Sequence, residues 1–490
     1  MAPTPQLRPL HTARRRVRVA ALTVVGLLAA AGCAGSPAPT AAPAVVTPVD
    51  DGTATGSTGS SASASPGAPT APSGGGPALA LTPAVTARLD AAITRVLAQA
   101  AVPGVIVGVS VPGSERYVKA FGVANQSDGT PMSTALNMRI GSETKTFTVT
   151  AVLRLVDAGR MQLDDPISAY VQGVPGGDGI TLRQLAEMRS GLYSYSNDPD
   201  FQNALISNPD RQFSPQELLA YAFRHPSGFQ PGTQFQYSNT NTVLLGLAVE
   251  KAGGRPLGDF LQQEVFSPAG LTHTVFPVDA AFPAPHAQGY TNQTANGETV
   301  DATDWNPSWA WAAGAMISQL DDMQTWADVL ATGTLLSPAT QAQRLRALPT
   351  GLPGTSYGLG LFINHGWIGH NGSLPGYQSL VLYLPSSQAT LVVLANTDVP
   401  FQGSEPSTLF GRAITEIVSP GNVYSLPPAP PTGSPGSSAN SSAAAAAAQA
   451  SFRQASAAGR PTGRTGTPGP RRGSGVAGHG ARGVRRRPCR

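Results

Sequence analysis

From residue 83 onward, Val85, Leu89, Ala92, Ile93, Val96, Leu97 and Ala100 recur at intervals of three or four. That spacing puts them on one face of a helix. Thr82-Pro83 is a start signal, because threonine caps exposed first-turn amides and proline suits the first helical position. Pro103-Gly104 ends the run. The period then changes. Residues 105–111 are β-rich, Pro112-Gly113-Ser114 turns the chain, and 116–121 returns, as in a β-hairpin. Three more strands are expected at 357–363, 378–384 and 390–395, and a last helix over 407–417. Between about 142 and 330 the periodicity is mostly helical. Strands therefore come from both ends of one domain, with helices between them. The expected fold class is α/β (α+β): one antiparallel sheet flanked by N- and C-terminal helices, plus an inserted, mainly helical lobe. A site where the two lobes meet is the default expectation. The sequence contains no internal repeat.

The ends read differently. A basic cluster at 14–18 precedes an apolar run over 19–31. That run is too short for a spanning helix, which needs about 20 residues, and it matches a secretory leader over 1–32. Leu28-Ala29-Ala30-Ala31-Gly32-Cys33 resembles a bacterial lipobox, which would make Cys33 the lipidated first residue of an exported, membrane-anchored protein. Ala30 stands where that pattern prefers leucine, and ordinary cleavage near Ala31, giving a secreted protein, is the alternative. Residues 33–78 and 426–490 are rich in small residues and proline, with too little apolar surface to offset ordering entropy. They are expected to be a tether and a basic tail around a folded domain at 79–425.

Charge follows the same division. Fifteen of the 32 basic residues lie in 1–32 and 427–490, which hold no acid, so all 28 acids face the remaining 17. The net +4 belongs to the ends, and a nucleic-acid-binding core, which needs basic residues on its folded face, is excluded. The two cysteines, Cys33 and Cys489, both lie outside the middle, which excludes a disulfide framework or a cysteine zinc site there.

Lysine is scarce: Lys119, Lys145 and Lys251 stand against 29 arginines. Lys145 is the one with a serine three residues before it, in Ser142-Glu143-Thr144-Lys145, at the start of an apolar helical run. A serine at a helix start sits near unpaired amides that stabilise negative charge. Three residues on, an amine can reach its oxygen. A lysine made neutral by burial can take the serine proton, whereas arginine stays charged. Two further signals are Tyr237-Ser238-Asn239 after Pro231-Gly232, and His370-Asn371-Gly372-Ser373 on a glycine-flanked strand. A phenol beside an amine can relay protons, an Asn amide can hold a substrate carbonyl, and the Ser373 N–H could pair with that of Ser142 as an oxyanion donor. Each signal alone has a plain structural explanation: a capped helix with an exposed lysine, a buried tyrosine in a turn, a structural histidine.

Taken together and in order, S-x-x-K, Y-x-N and H-x-G resemble the serine penicillin-recognising family, in the branch of D-alanyl-D-alanine carboxypeptidases and class C β-lactamases. The likeness covers about Leu81 to Val418 and includes Ser308-Trp309, Ala313-Gly314 and Tyr357-Gly358-Leu359-Gly360-Leu361. It implies a β-lactamase/transpeptidase-like fold with a five-stranded-type sheet and an acyl-enzyme on Ser142. Lys145 and Tyr237 would share the base role, and His370 would steady Tyr237. Asn239, Trp309, Asn371, Gly372 and Ser373 would contact substrate. The resemblance implies no cofactor, no metal and a monomer acting on a small-molecule or peptidoglycan-peptide substrate, with the membrane as partner through Cys33. There is no S-D-N and no K-T-G, so the class A branch fits poorly. In the carboxypeptidases it resembles most, an arginine follows Y-G-L-G-L and a threonine follows the motif histidine, and both help bind a terminal carboxylate. Phe362 and Asn371 stand there instead. Esterase or amidase action on other acyl or D-amino-acid compounds is therefore the alternative to D-Ala-D-Ala peptides, with a weakly catalytic binding lipoprotein as the non-enzyme reading.

Gly354-Thr355-Ser356-Tyr357-Gly358 matches the G-x-S-x-G elbow, but Pro353 precedes it and a strand-like run follows, against the required strand–turn–helix. His365 and His370 lack a third metal ligand.

Overall fold

The computed structural model describes residues 80–428. The leader, Cys33, the tether and most of the basic tail lie outside the described residues. Helix α1, Pro83–Gln99, is capped by the Thr82 side chain, which accepts from the Val85 amide at 3.4 Å. The strands of the main sheet are β1 Gly104–Ser110, β2 Tyr117–Gly122, β3 Leu348–Pro349, β4 Thr355–Tyr357, β5 Phe362–Asn364, β6 Trp367–Leu374, β7 Tyr377–Leu384 and β8 Ala389–Ala395. Their order across the sheet is β2-β1-β8-β7-β6-β5-β4-β3, and every neighbouring pair is antiparallel. Five long strands form the expected sheet, and three short ones extend it beyond β6.

The pairing of β1 with β8 (Val105 opposite Ala395) joins the two ends of the domain and leaves everything between as an insertion. Alternation along the strands divides the hydrocarbon between two faces. Val105, Val107, Val109, Leu380, Leu382, Leu391 and Val393 pack against Leu89 and Ile93 of α1 and against Phe410 and Ile414 of α5, Pro406–Val418. Ile106, Val381, Val392 and Leu394 face the other way, into the core of the helical lobe. That lobe contains α2 Thr144–Asp157, α3 Asn239–Gly253 and α4 Leu320–Thr332.

One expected strand, 357–363, is two. Gly358-Leu359-Gly360-Leu361 leaves the sheet and docks on the helical lobe: the Leu359 amide donates to Arg344 O at 3.1 Å and the Gly360 amide to Ala186 O at 3.0 Å. Gly360 has φ +73, and a Cβ there would lie 2.6 Å from Val149 of α2, so glycine is required on both counts. The β-rich residues on either side then form the β4–β5 hairpin, with Tyr357 opposite Phe362.

Helix α2 is buried on nearly every side from Thr144 to Leu153. Its alternate threonines find local or cross-lobe acceptors: Thr144 donates to Gly141 O at 2.8 Å, Thr146 to Glu143 O at 2.7 Å, Thr148 to Ala312 O at 2.8 Å and Thr150 to Thr146 O at 2.6 Å. Trp326 of α4 donates to Thr146 Oγ1 at 2.8 Å and stacks on Phe147 at 3.9 Å. Such satisfied contacts let a polar helix sit in the interior.

Candidate active site

Ser142 lies in a short 3₁₀ turn, Gly141–Glu143, that leads into α2. The turn is held from two sides. Met138–Arg139 pairs with Ile317–Ser318, and the Ile140 amide donates to Met316 O at 3.0 Å. On the sheet side Ser379 of β7 donates to Ile140 O at 2.7 Å. The backbone of β6 passes very close: a Cβ on Gly141 (φ +54) would lie 2.5 Å from Ser373 N, and one on Gly372 would lie 1.9 Å from Ile140 O. Only glycines permit this approach, which sets the Ser373 amide beside the serine turn. Strand β5 pairs with β6 only over Trp367 to Gly369, and from His370 onward the serine turn packs against β6 in its place. Ser142, Asn239 and Ser373 are each half-buried, the exposure expected of groups bordering an open cleft.

Lys145 is fully buried. Its Nζ lies 3.0 Å from Ser142 Oγ and 2.7 Å from Ala313 O, and sits 4.9 Å from the centre of the Tyr237 ring. Burial drives its pKa well below the ordinary lysine value, because no carboxylate compensates the lost hydration. Burial pushes the Tyr237 pKa up, opposed in part by the nearby Ser142 hydroxyl. Asn239 opens α3 and is braced by two serines: its amide N–H donates to Ser194 Oγ and its Nδ2 to Ser196 Oγ, each at 3.0 Å.

His370 is placed differently from the role of steadying Tyr237. Its Nδ1 lies 2.5 Å from Asn371 O and its Nε2 lies 3.3 Å from the Tyr357 hydroxyl, while Tyr237 meets it only as a ring at 6.0 Å. Burial, with a smaller push from Lys145, takes its pKa down to about 3, so the ring is neutral. Trp309 is 7% exposed and packs at 6.1 Å against Phe201, while its carbonyl accepts from Tyr195 at 2.7 Å. Most of its surface is covered by the core of the helical lobe. Asn371 and Gly372 are buried in β6. Phe362 is buried beside them, 4.9 Å from the His370 ring and stacked on Tyr237 at 6.3 Å. Together with Met188, Tyr237 and Tyr357 it forms a small apolar cluster against the site, with Phe235 at its margin.

Three participants escaped the sequence motifs. The Ala313 carbonyl is backbone, and only its place in Ala313-Gly314 pointed to it. Tyr357 was visible only as the first residue of the Y-G-L-G-L run. Glu143 occupies a free position of S-x-x-K, yet it is fully buried and neither carboxyl oxygen makes a hydrogen bond of ordinary geometry. Burial raises its pKa well above the carboxylate range, opposed in part by the Val381 backbone, and favours the protonated acid. A folded-state pKa above the unfolded one means that the folded protein holds the extra proton. This stabilisation is complete below the unfolded value near 4.5 and shrinks as pH rises, by roughly 1.4 kcal/mol per unit, until the folded acid ionises. Glu143→Gln should therefore become more stable relative to wild type as pH rises from 5 to 8, by roughly 1–3 kcal/mol in urea melts. Parallel stability curves for the two proteins over that range would mean that Glu143 is charged in the fold.

A family model described as Beta-lactamase matches residues 89–410. Among solved structures, a D-stereospecific amidohydrolase from Streptomyces sp. superposes with a TM-score of 0.62 at 31% identity, over 69% of this chain and 99% of that one. The D-amino acid amidase of Ochrobactrum anthropi SV3, complexed with D-phenylalanine, gives 0.61 at 27% identity, over 68% and 99%. Among curated sequences, PbpX of Bacillus subtilis (strain 168), a penicillin-binding protein by its name, is 26% identical over 280 residues, which is 57% of this chain and 66% of that protein. Protein flp of Staphylococcus aureus (strain MRSA252) is 26% identical over 322 residues, 63% and 62%. The chain thus spans just under two thirds of the length of these two sequence relatives.

Proposed function

The chain belongs to the Beta-lactamase family of serine hydrolases, and from that premise we propose that it is an amidase or esterase for acyl compounds of D-amino acids whose recognised end is neutral. Neutral Lys145 accepts the Ser142 proton as Oγ attacks the acyl carbonyl and forms the C–O bond. The Ser142 and Ser373 amides receive the oxyanion. Tyr237, kept protonated by burial, hands its proton to the departing amine or alkoxide as the acyl bond breaks, and is re-protonated from Lys145. Water then enters, gives its proton to the same base, and releases the acid as Ser142 regains its hydrogen. In this scheme burial separates the roles, favouring the neutral amine that can accept a proton and keeping the phenol protonated so that it holds the hydrogen the leaving group takes.

The observation that carries the substrate class is Phe362. Its ring packs on His370 and Tyr237, in the position that follows Y-G-L-G-L. A hydrocarbon wall there offers a free carboxylate no ion pair, and a missing charge-assisted bond costs about 10- to 100-fold in recognition. The two D-amino-acid amidohydrolase structures support the same class. A second reading, action on D-Ala-D-Ala wall peptides, is supported by the likeness to PbpX.

A panel of D-phenylalanine amide, a D-alanine p-nitrophenyl ester, a D-Ala-D-Ala peptide and nitrocefin decides between them. The amide and ester are expected to lead the free-carboxylate peptide by at least about 10-fold in kcat/KM. Phe362→Arg is expected to shift that ratio about 10-fold toward the peptide, and to lower the melting temperature because a buried charge lacks a partner without substrate. If wild type prefers the peptide, or if the arginine leaves the ratio unmoved, the neutral-end reading fails.

A further inference from the structure

The surroundings of His370 define its proton. Its Nδ1 lies 2.5 Å from the Asn371 carbonyl, and a carbonyl can only accept, so Nδ1 carries the hydrogen. Nε2 is then a bare lone pair. The group that meets it is the Tyr357 hydroxyl at 3.3 Å, which must be the donor. Tyr357 is completely buried, where a hydroxyl without a partner is costly. Its ring is wedged edge-on against Phe362 at 4.5 Å and stands 6.4 Å from Tyr237. The β4–β5 hairpin therefore supplies two things at once: Phe362 as wall and Tyr357 as a hydrogen-bond donor aimed at the imidazole.

We infer that Tyr357 is a positioning residue: with the Asn371 carbonyl holding Nδ1–H, the Tyr357 hydroxyl caps Nε2, so that the imidazole takes no proton from Tyr237 or Ser142. The inference rests on the hydrolase reading for its kinetic consequence but not for its geometry. The titratable groups facing His370 are Lys145 from α2, Tyr237 ahead of α3 and Tyr357 from β4, with Glu143 charge-coupled to both tyrosines from the serine turn. With Nε2 capped and the ring desolvated, the imidazole is withdrawn from proton exchange among Ser142, Lys145 and Tyr237. Histidine elsewhere titrates near 6.5, and an exposed or mobile His370 would add a second ionisation to the site.

The test is ¹⁵N-imidazole NMR on the full chain, with the His370 signal assigned by its loss in His370→Asn. Wild type is expected to show Nδ1–H at pH 7 and no titration between pH 8 and 5. Tyr357→Phe keeps the ring but removes the donor. It should shift the Nε2 resonance, raise the His370 pKa and lower kcat about threefold to tenfold. In the His370→Asn background the same substitution should have no further effect on the pH profile. An Nε2–H tautomer or a normal titration in wild type overturns the inference even if the variant does not fold. An unchanged His370 spectrum in folded Tyr357→Phe also overturns it. Absence of turnover on every acyl substrate would strike the hydrolase reading and leave the NMR result standing.

Discussion

Ser142→Ala is expected to lower kcat by roughly 10⁴- to 10⁶-fold while leaving the fold intact. The substitution removes one half-buried oxygen from a turn held by its backbone and by Ser379, so the melting temperature should stay within a few degrees of wild type. The oxyanion donors survive, and rate enhancement from these and from substrate binding persists when a nucleophile is deleted. The decisive readout is mass. A fluorophosphonate or a fluorescent penicillin should add covalently to wild type at Ser142 and not to the variant. An adduct of equal yield on Ser142→Ala would move the nucleophile to another residue and dissolve the assignment of Lys145 with it.

Lys145→Arg is expected to cost at least about 10³-fold in kcat/KM, although it keeps a cation at the same position. Guanidinium does not give up its proton, so it cannot take the serine's. It is also larger, and the space around Nζ is completely enclosed. An unpaired permanent charge in that space is strongly destabilising, so a stability control is needed. Lys145→Met supplies it, with similar length and no charge, and should fold at least as well as wild type while being equally inactive. The depressed lysine pKa has a sign opposite to that of Glu143. The unfolded chain holds the additional proton between the folded and unfolded values, so stability gained from neutral Lys145 rises with pH across that window and is lost toward acid. Lys145→Met should flatten that part of the curve. Activity in wild type should fall on the acid side as Lys145 becomes protonated. An arginine variant retaining more than a tenth of wild-type kcat/KM would remove Lys145 from the base role.

Much of the fold was legible because it depended on local period. The α1 stripe, the first hairpin and the paired strands 378–384 and 390–395 each bury one or both faces against hydrocarbon, and that burial is written in alternation or in a three-to-four spacing. What failed at 357–363 was a decision between sheet and turn that rests on two distant contacts, Arg344 O and Ala186 O, which no window of sequence contains. The threonines of α2 could be read as helix only through the apolar residues between them: three donate to carbonyls three or four residues back, and Thr148 reaches Ala312 O, more than 160 residues away. The site shows the same limit. Ser142 and Lys145 are one turn apart, so spacing alone brings them together, and order along the chain brought in Tyr237 and His370. The partner of each nitrogen on His370 could not be read, because Tyr357 approaches through a hairpin register and Asn371 through its backbone. The enclosure of Glu143 and Trp309 was equally hidden, as a single chain does not say which side of a turn or a 3₁₀ segment the sheet will cover.

Helices α1 and α5, together with Leu81, Tyr424 and Leu426, share the side of the sheet turned away from the nucleophile. Any fusion, label or surface linkage added near position 80 or 428 therefore begins at the back of the molecule. It would have to wrap around a sheet rim before it could shade Ser142, which makes both junctions sound places to immobilise the protein without covering the Ser142 face.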